Sequence, residues 1–427
     1  MVEWVKITLI LCAFGTLREI RPSEPFVTDF LTGEWRNVTA DQLFVDIYPV
    51  STYSYMALLI VIFLVTDFLR FKPVIILSGL TGITIYAILL WTTEVEWLYV
   101  SQFLFGLYMA TEVAYYTYMY AKVEPSKYPR VSSYTRVAAL SGRFVSGVSA
   151  QLLTHFQIMD FRQLNYITFT QIFATLWAFW LPPVLFGIYF HRRCLVSLEN
   201  IELHVTLLTQ MKQPFRANVS TASRLISRHA RAAYARPRVL AWSALYAVAL
   251  ALFTHAQYYV QLLWQHLQRY DQVKYNGGVE AAMTLMGAAG ALAASRCERT
   301  PLPAAIAAVQ AAAAFLGAFL TNIYLSYACY VLLGTLFHFT ITMASAKIAS
   351  QLADESCFGL IFGINTFVGA MLQSLLTLML NQTLQLPYDA LYFVLSGLYL
   401  LLASGWLLGW TTHSCSQKRI TSTNSQP

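Results

Sequence analysis

The sequence predicts an all-α protein that crosses a membrane many times, and three observations carry that reading. Of its 427 residues 57% are hydrophobic and only 11% charged, against roughly 25% charged in soluble domains. Apolar runs of about 20 residues, the length that spans a ~30 Å hydrocarbon layer, recur along the chain. Backbone amides in lipid have to pair within their own segment, so runs of that length are helices.

Taken in order, helices are expected near 7–33, 46–68, 73–92, 95–122, 133–156 and 163–190, then near 238–266, 272–296, 301–320, 322–350, 356–380 and 386–411. The first reads as an uncleaved helix interrupted by Pro22 and Pro25, because no small-residue cleavage site follows the apolar run after Lys6. The twelve transmembrane helices fall into an N-terminal six-helix half (1–190) and a C-terminal six-helix half (238–412). A basic linker (191–237) joins them and a polar tail (413–427) follows. Six plus six around a central basic loop is the layout of the major facilitator fold, whose halves rock about a midplane site.

The net charge of +7 is gathered in a few loops, which marks topology rather than a nucleic-acid partner. With both termini and the linker cytoplasmic, the outer loops keep only Arg36, Arg162, Arg269 and Lys274. Asn37-Val38-Thr39 and Asn381-Gln382-Thr383 then lie outside as glycosylation sequons, whereas Asn218-Val219-Ser220 lies inside. Asp67 and Arg70, at the inner end of the second helix, read either as a gating latch between the halves or as ordinary topology charges. Six scattered cysteines with no CxxC spacing exclude a disulfide framework and a metal site. There is no GxxxxGK[ST], HExxH or GxSxG, so neither enzyme chemistry nor a cofactor is expected.

A charge at the bilayer centre costs at least ~2.5 kcal/mol, so each one requires a reason. Glu112 lies inside the fourth helix with Tyr115 and Tyr116 on its own face and Thr111 nearby. A carboxylate beside electron-rich rings suits an organic cation; the competing reading is an ion pair with Arg143. Glu24 sits between Pro22 and Pro25, where a broken helix lines a cavity, or else it pairs with Arg21 or Arg18. Glu280 is a proton or substrate partner or a structural pair. Arg143 either holds an anion or, by preference, neutralises Glu112 or Glu24. Gln373 and Asn365 offer hydrogen bonds to a solute or to another helix, with His255 and Tyr258 as weaker candidates.

Several motifs then resemble one family. Arg21-Pro22-Ser23-Glu24-Pro25-Phe26, Thr52-Tyr53-Ser54-Tyr55, Thr66-Asp67-Phe68-Leu69-Arg70-Phe71-Lys72-Pro73 and Thr111-Glu112-Val113-Ala114-Tyr115-Tyr116 look like the first half of the reduced folate and thiamine carriers. Tyr275-Asn276-Gly277 with Val279-Glu280-Ala281, and Phe362-Gly363-Ile364-Asn365-Thr366-Phe367, resemble its second half. The resemblance runs over 7–400 in matching order and leaves out the linker and tail. It implies a vitamin substrate, either cationic thiamine or an anionic reduced folate. Vertebrate folate carriers have Arg and Lys where this chain has Glu112 and Gln373, so the resemblance favours thiamine. Glu112 would bind the cation, with Tyr115, Glu24, Tyr53 and Tyr116 lining the site. The expectation is a plasma-membrane facilitator of thiamine uptake. Its rivals are a reduced-folate anion exchanger and a transport-inactive vitamin receptor.

Overall fold

Proline and buried charge decide where this chain stops being a simple row of helices. The computed structural model describes residues 3–69, 71–123, 127–183, 215–268, 274–294, 302–352 and 358–423. Helix α1 (Glu3–Glu19) ends just before the proline pair, which has no N–H to donate, and a 3₁₀ turn (Glu24–Phe26) leads into α2 (Val27–Thr32). A turn at Ala40–Gln42, closed by a Thr39 capping box, and a π-helical turn (Leu43–Ile47) open α3 (Tyr48–Leu69). Helix α4 (Lys72–Trp91) starts with a proline in its first turn, where a missing donor costs nothing.

The helix expected over 95–122 is two, α5 (Val95–Ala110) and α6 (Glu112–Lys122). The break has a side-chain cause. Tyr108 O accepts from Thr111 Oγ1 at 2.7 Å and from Arg18 Nη2 at 3.1 Å, which draws it out of the helical ladder. After α7 (Tyr128–His155), the helix expected over 163–190 is likewise split into α8 (Leu164–Thr168) and α9 (Gln171–Ala178). A helix, α10 (Phe215–Tyr234), stands within the expected linker, whose earlier residues 191–214 lie outside the described residues.

Then come α11 (Pro237–Leu267), α12 (Asn276–Ala294), α13 (Leu302–Phe319), α14 (Ile323–Ala349) and α15 (Phe358–Leu376), which continues as a π-helical turn (Thr377–Thr383). The last helix, α16 (Tyr388–Thr423), runs well into the expected tail, since no Gly or Pro lies between Gly409 and Thr423 to stop it.

Eight helices among the described residues are long and apolar enough to cross a membrane. The stretches that fall short are the broken or charged ones: α1, α5 with α6, α7, and α8 with α9. Those are also the stretches that build the polar interior.

Helices before residue 183 pack on one another, α1 against α7 and α9, and α5 against α3 and α4. Those from residue 237 onward do the same around α11 and α14. The two groups meet along two seams, α7 with α12 and α3 with α15. Within the first group, Gly142 lets α7 approach α1, for a Cβ there would lie 2.5 Å from Thr16 O and 3.0 Å from Glu19 Cβ. Gly142→Val is therefore expected to force α1 and α7 apart and lower stability by about 1–3 kcal/mol. Thermal melting of the purified protein checks this against Gly405→Ala, a site with nothing within 4 Å, where no change is expected.

Candidate functional site

The break in α1 leaves backbone groups at membrane depth without helical partners, and side chains from other helices take them up. Gln171 Nε2 donates to Arg18 O at 2.7 Å, and Arg21 N donates to Ser146 Oγ at 3.0 Å. Ser23 N donates to Thr168 Oγ1 at 3.2 Å. Gln261, from α11, makes two such bonds: its Nε2 donates to Glu24 O at 2.9 Å and its Oε1 accepts from Thr28 N at 3.1 Å. Irregular backbone in a membrane survives only where protein satisfies it in this way.

The same break gathers charge around Glu19, the last residue of α1, whose side chain is 3% exposed. Arg143 Nε donates to its Oε2 at 2.6 Å, Arg21 Nη2 to the same oxygen at 2.7 Å, and Arg18 Nη1 to Oε1 at 3.1 Å. Arg18 also lies over the Tyr108 ring, 4.3 Å from its centroid, and 3.7 Å from Glu112 Oε1. Arg21 reaches Glu24 as well. Three guanidiniums thus face three carboxylates, Glu19, Glu24 and Glu112. A buried ion is tolerable only when it is paired and hydrogen-bonded, and here every charge meets an opposite one.

Beside this cluster is a cavity of about 220 Å³, bounded by the α1–α2 break, α3, α4, α5, α7, α11 and α12. Its charged lining is Glu19, Glu24 and Glu280 against Arg21 and Arg143; Tyr48, Tyr86, Phe105 and Tyr258 supply rings, and Gln257 and Gln261 supply amides. Glu280 accepts from Tyr330 Oη at 2.9 Å and makes no ion pair among the described residues. The α2 side of the cavity is crossed by bonds between the two groups of helices. Asp29 pairs with Lys274 and accepts from Gln265 Nε2 at 2.9 Å, while Gln151 Nε2 donates to Lys274 O at 3.0 Å.

Of the residues singled out from sequence, Glu24, Tyr258, Arg143 and Glu280 meet in this cavity. Glu112 does not line it. The break at Thr111 places the Glu112 carboxylate 3.7 Å from Arg18 Nη1 instead. Arg143 neutralises neither Glu112 nor Glu24 directly but Glu19. Tyr115 donates to Leu11 O at 3.2 Å and lies 5.5 Å from the Phe14 ring, with Tyr116 against it at 4.9 Å. Thr111 caps the α5 break.

Tyr53 Oη donates to Gln382 Oε1 at 2.7 Å, and Gln373 Oε1 accepts from Thr254 at 3.1 Å. Asn365 Oδ1 accepts from Tyr234 Oη at 2.8 Å, and His255 is buried against Tyr259 and Thr377. The side chain of Asp67, and Arg70 entirely, lie outside the described residues. Asn37 is exposed, but Asn381 is 0% exposed inside the π-helical turn, so a glycan has no route to it.

Sequence reasoning did not assign Glu19, Gln261 or Tyr48 to the site. The signal for the first was there: three charges in four positions, Arg18, Glu19 and Arg21, adjoining an apolar run.

An all-helical membrane protein with charge buried around a broken helix and a central cavity is a solute carrier in architecture, and the comparisons agree. The chain aligns over 96% of its length with a POT family transporter in complex with a thioalcohol-conjugated peptide, covering 95% of that chain (TM-score 0.64, 11% identity). It aligns over 95% of its length with all of the human organic anion transporter MFSD10 (TM-score 0.59, 14% identity). These likenesses establish the major facilitator fold. The reduced folate carrier family model matches residues 2–394, and the chain belongs to that family.

It is 32% identical to thiamine transporter 2 of Macaca fascicularis, over 93% of this chain and 90% of that one. It is 33% identical to thiamine transporter 1 of Homo sapiens (94% and 90% covered) and 32% identical to folate transporter 1 of Caenorhabditis elegans (94% and 91%). The chain is a multi-pass membrane transporter of a vitamin-carrying family, not an enzyme.

Gln261→Leu would strand the Thr28 amide and take one of two donors from the Glu24 carbonyl, which keeps the Val27 N–H, at about 1–3 kcal/mol for the buried group left unpaired. A melting midpoint clearly below wild type is the expected outcome. An unchanged midpoint would mean that Gln261 does not hold the break.

Proposed function

We propose that this carrier moves thiamine, or a close cationic analogue, into the cell by alternating access through the cavity beside Glu24 and Glu280. The observation that carries this reading is the imbalance of charge on the cavity wall. Three carboxylates face two guanidiniums, and both guanidiniums are bonded to Glu19. Glu280, held only by a tyrosine hydroxyl, is left to attract a cation. Rings at Tyr48, Tyr86, Phe105 and Tyr258 suit a flat heteroaromatic cation by stacking and cation–π attraction. Amides at Gln257 and Gln261 suit the hydrogen-bonding edge of its aminopyrimidine. Kinship with two thiamine transporters supports the same substrate.

A reduced-folate carrier is the second reading. It is favoured by Arg21 and Arg143 on the wall and by kinship with folate transporter 1.

Uptake of labelled thiamine and labelled reduced folate into cells expressing the chain separates the two. Saturable thiamine uptake is expected, reduced roughly 10- to 100-fold in Glu280→Gln and in Glu24→Gln, the range for losing a charge-assisted hydrogen bond. Glu112→Gln, off the cavity wall, should cost less. Saturable folate uptake without thiamine uptake would overturn the substrate assignment. Binding of thiamine without uptake in proteoliposomes would make the chain a receptor.

The proposal places the protein in the plasma membrane with both termini cytoplasmic, and so puts Asn37 outside. Glycosidase treatment should increase gel mobility in wild type and in Asn381→Gln but not in Asn37→Gln. A shift that persists in Asn37→Gln would argue against this topology.

A further inference from the structure

Glu19 is bound as a ligand would be. Its two oxygens receive three guanidinium N–H donors within 2.6–3.1 Å, from Arg143, Arg21 and Arg18. That is the arrangement by which proteins hold a solute's carboxylate or phosphate. Two of those donors, Arg21 and Arg143, also line the cavity, and the Arg143 side chain is 35% exposed. The broken backbone itself is bonded by Gln171, Ser146, Thr168 and Gln261, not by the Glu19 carboxylate. Gly142, where a Cβ would press on Glu19 Cβ, lets α7 come close enough for Arg143 to reach it.

We propose that Glu19 is a specificity determinant, an internal carboxylate that occupies an arginine cradle and so keeps anionic solutes out of the cavity. An incoming carboxylate would have to displace Glu19 from its donors and leave it buried and unpaired, a heavy penalty for an ion away from water. A cation meets no such barrier, because the cradle stays intact while the cation pairs with the carboxylates left over. With Glu19 neutral, the wall's excess of negative charge is gone and the N–H donors that Arg21 and Arg143 gave to Glu19 are free, so the same wall accepts a carboxylate. Specificity built by occupying the wrong partner's site is discrimination by repulsion as much as by attraction. The inference rests on the cavity being the solute site.

The test is binding to the purified full-length protein, read by thermal shift and by titration, with 5-formyltetrahydrofolate, glutarate and thiamine as probes. Wild type should bind the two carboxylates weakly. Glu19→Gln should bind them at least tenfold more tightly, and adding Arg143→Gln should abolish the gain. Because Glu19→Gln leaves the cluster with excess positive charge, the double variant Arg18→Met/Glu19→Gln is measured beside it. It keeps two guanidiniums, Arg21 and Arg143, against two carboxylates, Glu24 and Glu112, and should show the same gain.

Wild type binding the carboxylates as tightly as the variants, or folded variants with no gain, would overturn the proposal. Thiamine failing to bind wild type while the carboxylate gain appears would remove the thiamine reading and leave the role of Glu19 standing. Thiamine binding with no gain in either variant would do the reverse.

Discussion

The pairing of Glu19 with three arginines is the constraint around which the first group of helices is arranged. A guanidinium cannot shed its charge, so three of them inside a membrane protein have to be matched where they stand. Matching requires α1, α5 and α7 to converge on one point. Gly142 supplies the close approach of α7, Tyr108 supplies a ring and a carbonyl for Arg18, and the end of α1 at Glu19 supplies the anion. Removing Glu19 would leave Arg143 without its carboxylate, a loss of up to about 3–5 kcal/mol in buried pairs of this kind. The break in α1, the break at Thr111 and the placement of Glu112 are linked through the single residue Arg18.

The cavity takes its character from what that cluster leaves over. Its arginines are turned inward and bonded, while Glu280 has a tyrosine hydroxyl as its partner. Aromatic rings from α3, α4, α5 and α11 complete a wall that is greasy, flat-faced and anionic. A family that carries both cations and anions on one fold can exchange them by altering a few side chains on such a wall. On the proposed role of Glu19, a carboxylate from the chain itself, seated among the arginines, sets which charge this wall admits.

Much of this was legible in the sequence, for physical reasons that can be named. Helices announce themselves where lipid demands unbroken apolar runs, so α3, α4 and α11 to α15 stand close to where hydropathy puts them. The break at Thr111 was not legible, because it depends on a bond from the distant Arg18, and no Gly or Pro marks the one at Thr170. Pro22 and Pro25 are local breakers, and that interruption was readable. Glu24, Arg143, Glu280 and Tyr258 were found as polar groups in apolar surroundings.

Glu19 escaped because it lies among other charges and resembles a loop edge, whereas Glu112 stands alone in an apolar run and lies near Arg18, off the cavity wall. Asn381 sits in a sequon, but only the π-helical turn reveals that its amide is enclosed.

Gln261 carries a mechanical consequence. It belongs to the second group of helices, yet it holds both a carbonyl and an amide of the broken segment in the first. The groups cannot tilt against each other without stretching that double tether. In the proposed alternating access, the stretch of backbone bearing Glu24 would be geared to that tilt, and the carboxylate would shift in step with the opening of its compartment.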